Sequence, residues 1–248
     1  MSVRTEREGA AAWIRWERGE RLNAWDRATL RALGDALAEA AAGEGRAIVL
    51  HGEGGAFSAG DDLRETATLA PEEWAGTIAA FNRLTREVVR APQPVIAAVD
   101  GVCVGGAFEL VVACDLRVVS PGSRLGCPEV AIGLSISNGL SLLAPRAARR
   151  LVLTGELVDA EEALRLGLVD VVAEDVESEA RRLAGRIAGL APLAVAGSKR
   201  LLDEGMREAL ERALDREAAL CEQLFETADA REGLAAFLEK REPSFRGR

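Results

Sequence analysis

An α/β fold with a mostly parallel sheet, followed by a helical C-terminal part, is what this 248-residue sequence predicts. Two observations carry that expectation. Short buried strand patterns alternate with amphipathic helix patterns through the first two-thirds of the chain, and beyond about residue 145 the pattern turns almost wholly helical. A hydrophobic share of 48% is ample for the packed core such a fold needs. The length suits one large domain, or one domain with an appendage.

The elements follow in order. The run "AAWIRW" (11–16) is a strand candidate. Residues 26–42 carry apolar side chains at helical spacing, with Asp26 as N-cap. "RAIVLHG" (46–52) reads as a buried strand. The stretch 71–90 begins with Pro71 at the first helical position and continues amphipathically. "PVIAAVDG" (94–101) is a second buried strand, "GGAFELVVAC" (105–114) a buried helix and "DLRVVS" (115–120) a further strand. After residue 145 the segment 159–167 is a helix ending on Gly167, and helices are expected over 176–190, 192–205, 207–227 and 229–242. Helices placed outside the sheet core in this way are expected to pack on a partner subunit.

Composition excludes several functions. The net charge is −9, so a nucleic-acid footprint is not expected. No apolar run is long enough to cross a membrane, and the first residues lack the apolar core of a signal peptide, so a cytoplasmic protein is expected. Cys103, Cys114, Cys127 and Cys221 form no C-x-x-C and have no histidine at zinc spacing, which leaves them as core thiols. His51 is the single histidine, there is no G-x-S-x-G elbow, and tyrosine is absent. No metal, flavin or nicotinamide motif is visible.

The chemistry concentrates at two turns. Gly105 and Gly106 open the helix that carries Glu109, a carboxylate inside an apolar run. Burying such a charge costs several kcal/mol unless it is compensated. A glycine-rich turn at a helix start exposes backbone N–H groups that bind phosphate or a developing oxyanion. The same pair of glycines also serves tight helix–sheet packing, and the spacing fits neither nucleotide-loop pattern. A second small-residue turn, "GGAFSAGDDL" (54–63), follows the strand at 46–52. Two such turns could aim two N–H groups at one point. Glu129 lies in an otherwise apolar loop, "LGCPEVAIGL". Two carboxylates beside an oxyanion hole suit proton transfer next to a carbonyl, although either one taken alone reads equally as a surface or ion-paired residue.

Several motifs together resemble the crotonase superfamily, the enoyl-CoA hydratases and isomerases. They are "LNAWD" (22–26), "FSAGDDL" (57–63), "IAAVDGVCVGGAFELVVACDL" (96–116), "TGELVDAEEALRLGLVDVV" (154–172) and "EGLAAFLEKREPSFRG" (232–247). The resemblance implies a spiral of ββα units over residues 1–190 and a helical trimerisation region over 191–248 that packs on neighbouring subunits, giving a homotrimer or a dimer of trimers. It implies an acyl-CoA thioester as substrate, with coenzyme A as part of that substrate and no separate cofactor. The N–H groups of Asp61 and Gly106 would hold the thioester oxygen, and Glu109 and Glu129, spaced as in the hydratases, would hold and activate water. Leu22, Ala24, Ala59, Asp62, Leu63, Arg64, Gly105 and Lys240 fall at substrate- or CoA-contacting positions. Asp62 is expected to cap the next helix, and Lys240 lies on a helix that in relatives meets the CoA of a neighbouring subunit. The resemblance implies hydration of a 2-enoyl-CoA in fatty-acid β-oxidation. An isomerase using one Glu as base, and a non-catalytic RNA-binding or scaffold relative, are the alternatives. One departure stands out: where hydratases of the best-known type carry I-P-G-x-G-G-T-Q-R-L, this chain has "GLSISNGLSLLAPRA" (133–147), placing Ser135, Ser137 and Asn138 near Glu129.

Overall fold

The computed structural model describes residues 2–248. The chain opens with a hairpin, β1 (Ser2–Glu8) and β2 (Ala11–Glu17), then α1 (Arg27–Ala42), β3 (Ala47–Gly52), β4 (Ala56–Ser58), α2 (Leu63–Thr66) and α3 (Pro71–Arg90). Next come β5 (Val95–Val99), β6 (Val102–Val104), α4 (Gly106–Ala113), β7 (Leu116–Val119) and β8 (Arg124–Gly126). A 3-10 turn over Glu129–Ile132 leads to α5 (Leu140–Leu143), α6 (Arg149–Thr154), β9 (Val158–Asp159), α7 (Ala160–Arg165) and β10 (Val171–Val172). The chain ends in α8 (Val176–Ala188), α9 (Pro192–Phe225) and α10 (Ala228–Glu239).

These strands make two sheets. The larger runs β1-β2-β3-β5-β7-β10 and is parallel from β2 onward. Its inner strands β2, β3 and β5 are buried on both faces because successive side chains alternate between two cores. Trp13, Val49, Ile96, Ala98 and Val118 meet Val176, Ala180 and Ala184 of α8. Ile14, Ile48, Leu50, Ala97 and Val99 face the other way, into the core built with Leu30, Leu33 and Leu37 of α1 and Leu84 and Val88 of α3. That double burial explains why 46–52 and 94–101 read as continuous apolar runs.

The smaller sheet, β4-β6-β8-β9, positions the site. Its strands have only two or three residues and carry no alternation long enough to read, so the sequence pattern did not predict them. Nor did it predict β1 and β10, which are edge strands; the polar β1 has two of its seven residues charged negative at Glu6 and Glu8 and pairs by backbone with β2. β4 and β6 pair in parallel, Ala56 with Val102 and Ser58 with Cys103, so the turns that follow them lie side by side.

The helical part differs from expectation in one way. The helices expected over 192–205 and 207–227 are one helix, α9. Gly205 does not break it: tertiary anchors on either side fix the axis. Lys199 reaches Val88 O at 2.9 Å, Gln93 O at 3.1 Å and Asp115 Oδ2 at 2.6 Å, while Leu210 and Leu214 bury against Val89. Both α9 and α10 pack on the chain's own core. Gly233 of α10 sits so close to Ile132 that a Cβ there would fall 2.4 Å from its carbonyl. Within this chain, then, the 191–248 region is part of the site-forming body. Its outward face still carries Leu193, Leu201 and Leu202, 87%, 67% and 83% exposed. Among the described residues no helix is long and apolar enough to cross a membrane.

Candidate active site

The turn after β4 is Ala59-Gly60-Asp61, and the turn after β6 is Gly105-Gly106. Gly60 has φ +80° and Gly105 φ +62°, conformations that side chains other than glycine rarely adopt. A Cβ on Gly60 would lie 2.8 Å from Val104 O and 3.6 Å from Gly106 N, so the two turns touch and leave no room for a side chain between them. Around them the backbone is used as follows. Gly60 O accepts from Trp25 N–H, Asp62 N–H donates to Trp25 O, and Gly105 N–H donates to Gly126 O. Among the described residues no acceptor faces the N–H of Asp61 or of Gly106. Gly106 is the first residue of α4, where the helix itself supplies no acceptor. Two unused donors thus end two paired parallel strands.

Glu109, one turn into α4, is 1% exposed. Its carboxyl accepts the N–H of Ser137 at 3.1 Å and of Asn138 at 2.9 Å. Glu129 opens the 3-10 turn, and its Oε1 lies 3.3 Å from where a Cβ on Gly105 would stand. Its Oε2 is enclosed without a hydrogen-bond partner among the described residues. Desolvation raises both carboxyls: Glu129 to about 7, and Glu109 well above the ordinary range, with the Glu129 charge adding to the rise and the two backbone donors opposing it. Such a pair titrates as a unit rather than as two independent groups.

All of this faces one cavity of about 350 Å³. Of the residues singled out from sequence, Leu22, Ala59, Asp61, Leu63, Gly105, Gly106, Glu109 and Glu129 line it, as do Ser135 and Ser137 of the departing loop. Five others do not line it: Asn138, which gives its N–H to Glu109 from beside the cavity, and four positions that the resemblance assigned. Ala24 is buried, with its carbonyl accepting from Arg18. Asp62 caps α2, accepting from Arg64 N–H at 3.2 Å, and pairs with Arg18 at 2.9 Å. Arg64 points to solvent on α2, and Lys240 closes α10 at the protein surface, three residues beyond Phe237. Phe237 does line the cavity, so α10 serves its own chain's pocket. The far wall was not singled out from sequence: Trp74, Ile78 and Phe81 of α3, with Ile132 and Leu134. Their i, i+4, i+7 spacing on the 71–90 helix is the ordinary signature of a core-facing stripe, and nothing in it separates a pocket wall from a core. Asp61 brings a third carboxyl to the cavity, raised to about 7 by desolvation and bonded to the Thr66 hydroxyl. The lone His51 lies elsewhere, inside β3, with Nδ1 2.9 Å from Ala98 O. Among the described residues no group of three or more His, Cys, Asp or Glu side chains is placed to hold a metal ion.

Two sheets with these strand orders, with glycine turns ending paired strands and a helical end packed on the same core, make the crotonase fold. An enoyl-CoA hydratase/isomerase from Pseudoalteromonas atlantica superposes with a TM-score of 0.90 at 31% identity, over 99% of this chain and 100% of that one. The family model described as enoyl-CoA hydratase/isomerase matches residues 6–248, and the chain belongs to that family. Among curated relatives, a crotonyl-CoA hydratase of Syntrophomonas wolfei is 34% identical over 97% of this chain and 96% of its own length. A short-chain-enoyl-CoA hydratase of Clostridium acetobutylicum is likewise 34% identical, over 97% and 95%.

Proposed function

We propose that the protein is an enoyl-CoA hydratase, adding water across the C2–C3 double bond of a 2-enoyl-CoA thioester, as in the hydration step of fatty-acid β-oxidation. The observation that carries this reading is the pairing of Glu109 and Glu129 on one apolar-walled cavity that also receives the unused N–H groups of Asp61 and Gly106. The thioester oxygen takes both N–H bonds, which stabilise the enolate that forms as C3 is attacked. One carboxylate takes a proton from the water as its oxygen bonds to C3, and the carboxylic acid of the pair delivers a proton to C2. Atoms balance without a redox partner or a metal, so activity is expected to survive dialysis against a chelator. The names of the relatives support the same reaction class.

The test is loss of absorbance from crotonyl-CoA. Glu109→Gln and Glu129→Gln are each expected to lower turnover by about 10²–10⁴, and the double variant to be little worse than the worse single one, because both groups act on one water. CoA-ester binding is expected to persist in all three. Near wild-type hydration by Glu129→Gln would remove the two-carboxylate reading and leave a one-base isomerase built on Glu109. We read the assembly as a homotrimer or a pair of trimers in the cytoplasm, supported by the leucines exposed on α9. Light scattering at micromolar concentration checks it, and a monomer counts against it.

A further inference from the structure

The departing loop is held from two sides. On one side, Ser137 and Asn138 give their N–H groups to Glu109. On the other, Glu217 of α9, 6% exposed, accepts the N–H of Gly139 at 2.6 Å and of Ser141 at 2.9 Å. Four donors within the 137–141 stretch are therefore divided between two buried carboxylates carried by α4 and α9. Gly139 is also seated on α9 by contact: a Cβ there would fall 2.5 Å from Leu210 Cδ1. The proline-glycine turn that stiffens this loop in the best-known hydratases is absent, so its geometry must come from what it is bonded to.

We infer that Glu217 is a positioning residue: by fixing the 137–141 turn to α9, it fixes the two N–H groups that orient the Glu109 carboxyl. This rests on the reading of Glu109 as an acid–base group. Electrostatics adds a second effect, of opposite sign to the loosening of the two N–H groups. The titratable groups that face Glu109 are Glu129 from the 3-10 turn, Glu217 and Cys221 from α9, and Cys127 just before the turn. Of these, Glu129 and Glu217 push the Glu109 carboxyl up by their negative charge. Replacing Glu217 by a neutral side chain removes one of the two, so Glu109 titrates at lower pH and both limbs of the activity bell move toward acid.

The experiment compares wild type, Glu217→Ala, Glu217→Gln and Glu211→Gln in enoyl-CoA hydration across pH. It is paired with carboxyl-carbon NMR titration of Glu109 and with thermal melting. Glu211 lies on the same helix and pairs outward with Arg86 and Arg90, so its variant controls for changes to α9 as such. Expected are a fall in kcat of about 10–100-fold for Glu217→Ala, a smaller fall for Glu217→Gln, and KM within a few fold. The kinetic bell and the Glu109 titration should both shift to lower pH in Glu217→Gln, and Glu211→Gln should overlay wild type. If Glu217→Ala fails to fold, Glu217→Gln, which keeps the volume, carries the test. A lowered melting temperature with unchanged kcat, pH profile and Glu109 titration would make Glu217 a helix cap only and overturn the inference. If wild type binds acyl-CoA yet hydrates no enoyl-CoA, the hydratase reading fails instead, and the Glu109 titration still decides the positioning claim: both variants remove the charge but only Glu217→Ala also frees the 137–141 turn, so Glu109 should titrate higher in Glu217→Ala than in Glu217→Gln, and equal titration in the two sinks it.

Discussion

Glu129 shows how a site residue is expensive to the fold that holds it. Its carboxyl binds a proton more tightly in the folded protein, at about 7, than in the unfolded chain, where an ordinary glutamate sits at 4.5. The sign follows from linkage: the folded state holds more protons than the unfolded one across that interval, so stability falls as pH rises through it. Glu129→Gln removes this dependence. It is expected to raise the melting temperature at pH 8, by a contribution of about 1–3 kcal/mol, and to match wild type near pH 4. Melting curves at both values check it, and an equal difference at both would show that burial of the charge is not the cause. At this scale the sequence was informative. Glu109 in an apolar run and Glu129 after Pro128 were legible as a pair of carboxylates in apolar surroundings beside a glycine turn, although either one alone read equally as a surface or ion-paired residue. Asp61 was legible for its N–H, but its side chain in the cavity was not, since which way a turn residue points depends on Thr66 and the packing of α2.

Elements were legible where period and capping agree. The helix at 71–90 was read to the residue from Pro71 and its amphipathic spacing, and Asp26 does accept the Thr29 N–H at 2.8 Å as the cap of α1. The small sheet was not legible, because three-residue strands show no period and their pairing is set by tertiary neighbours. The single helix α9 was missed at Gly205 for the opposite reason: local propensity favours a break there, and long-range contacts override it. Lys199 is the anchor on the N-terminal side. Lys199→Met keeps the stem and removes the ammonium, leaving the carbonyls of Val88 and Gln93 and the Asp115 carboxylate without their shared donor. Breaking such a pair from one side costs about 3 kcal/mol, which for a chain of this size lowers the melting point by roughly 5–10 °C. A change under 2 °C, on the same order as surface substitutions, would show that α9 is held by its apolar contacts alone.

At the scale of the molecule, the cavity draws its lining from Leu22 near the start, the β4 and β6 turns, the 3-10 turn and Phe237 near the end. No contiguous fragment contains it. Most of the sheet pairings behind it are parallel and join distant parts of the chain, a topology that slows folding because long loops must close before their contacts form. Ligand competence should therefore be among the last properties to return on refolding. In a jump out of denaturant, helical circular dichroism is expected to recover first, and acyl-CoA binding to lag behind it in a separate slower phase. Simultaneous recovery would mean that the pocket forms with the first collapse. The same order holds during synthesis: with Phe237 so late in the sequence, a nascent chain can have its sheets and the α3 wall in place and still lack the side of the cavity that α10 supplies.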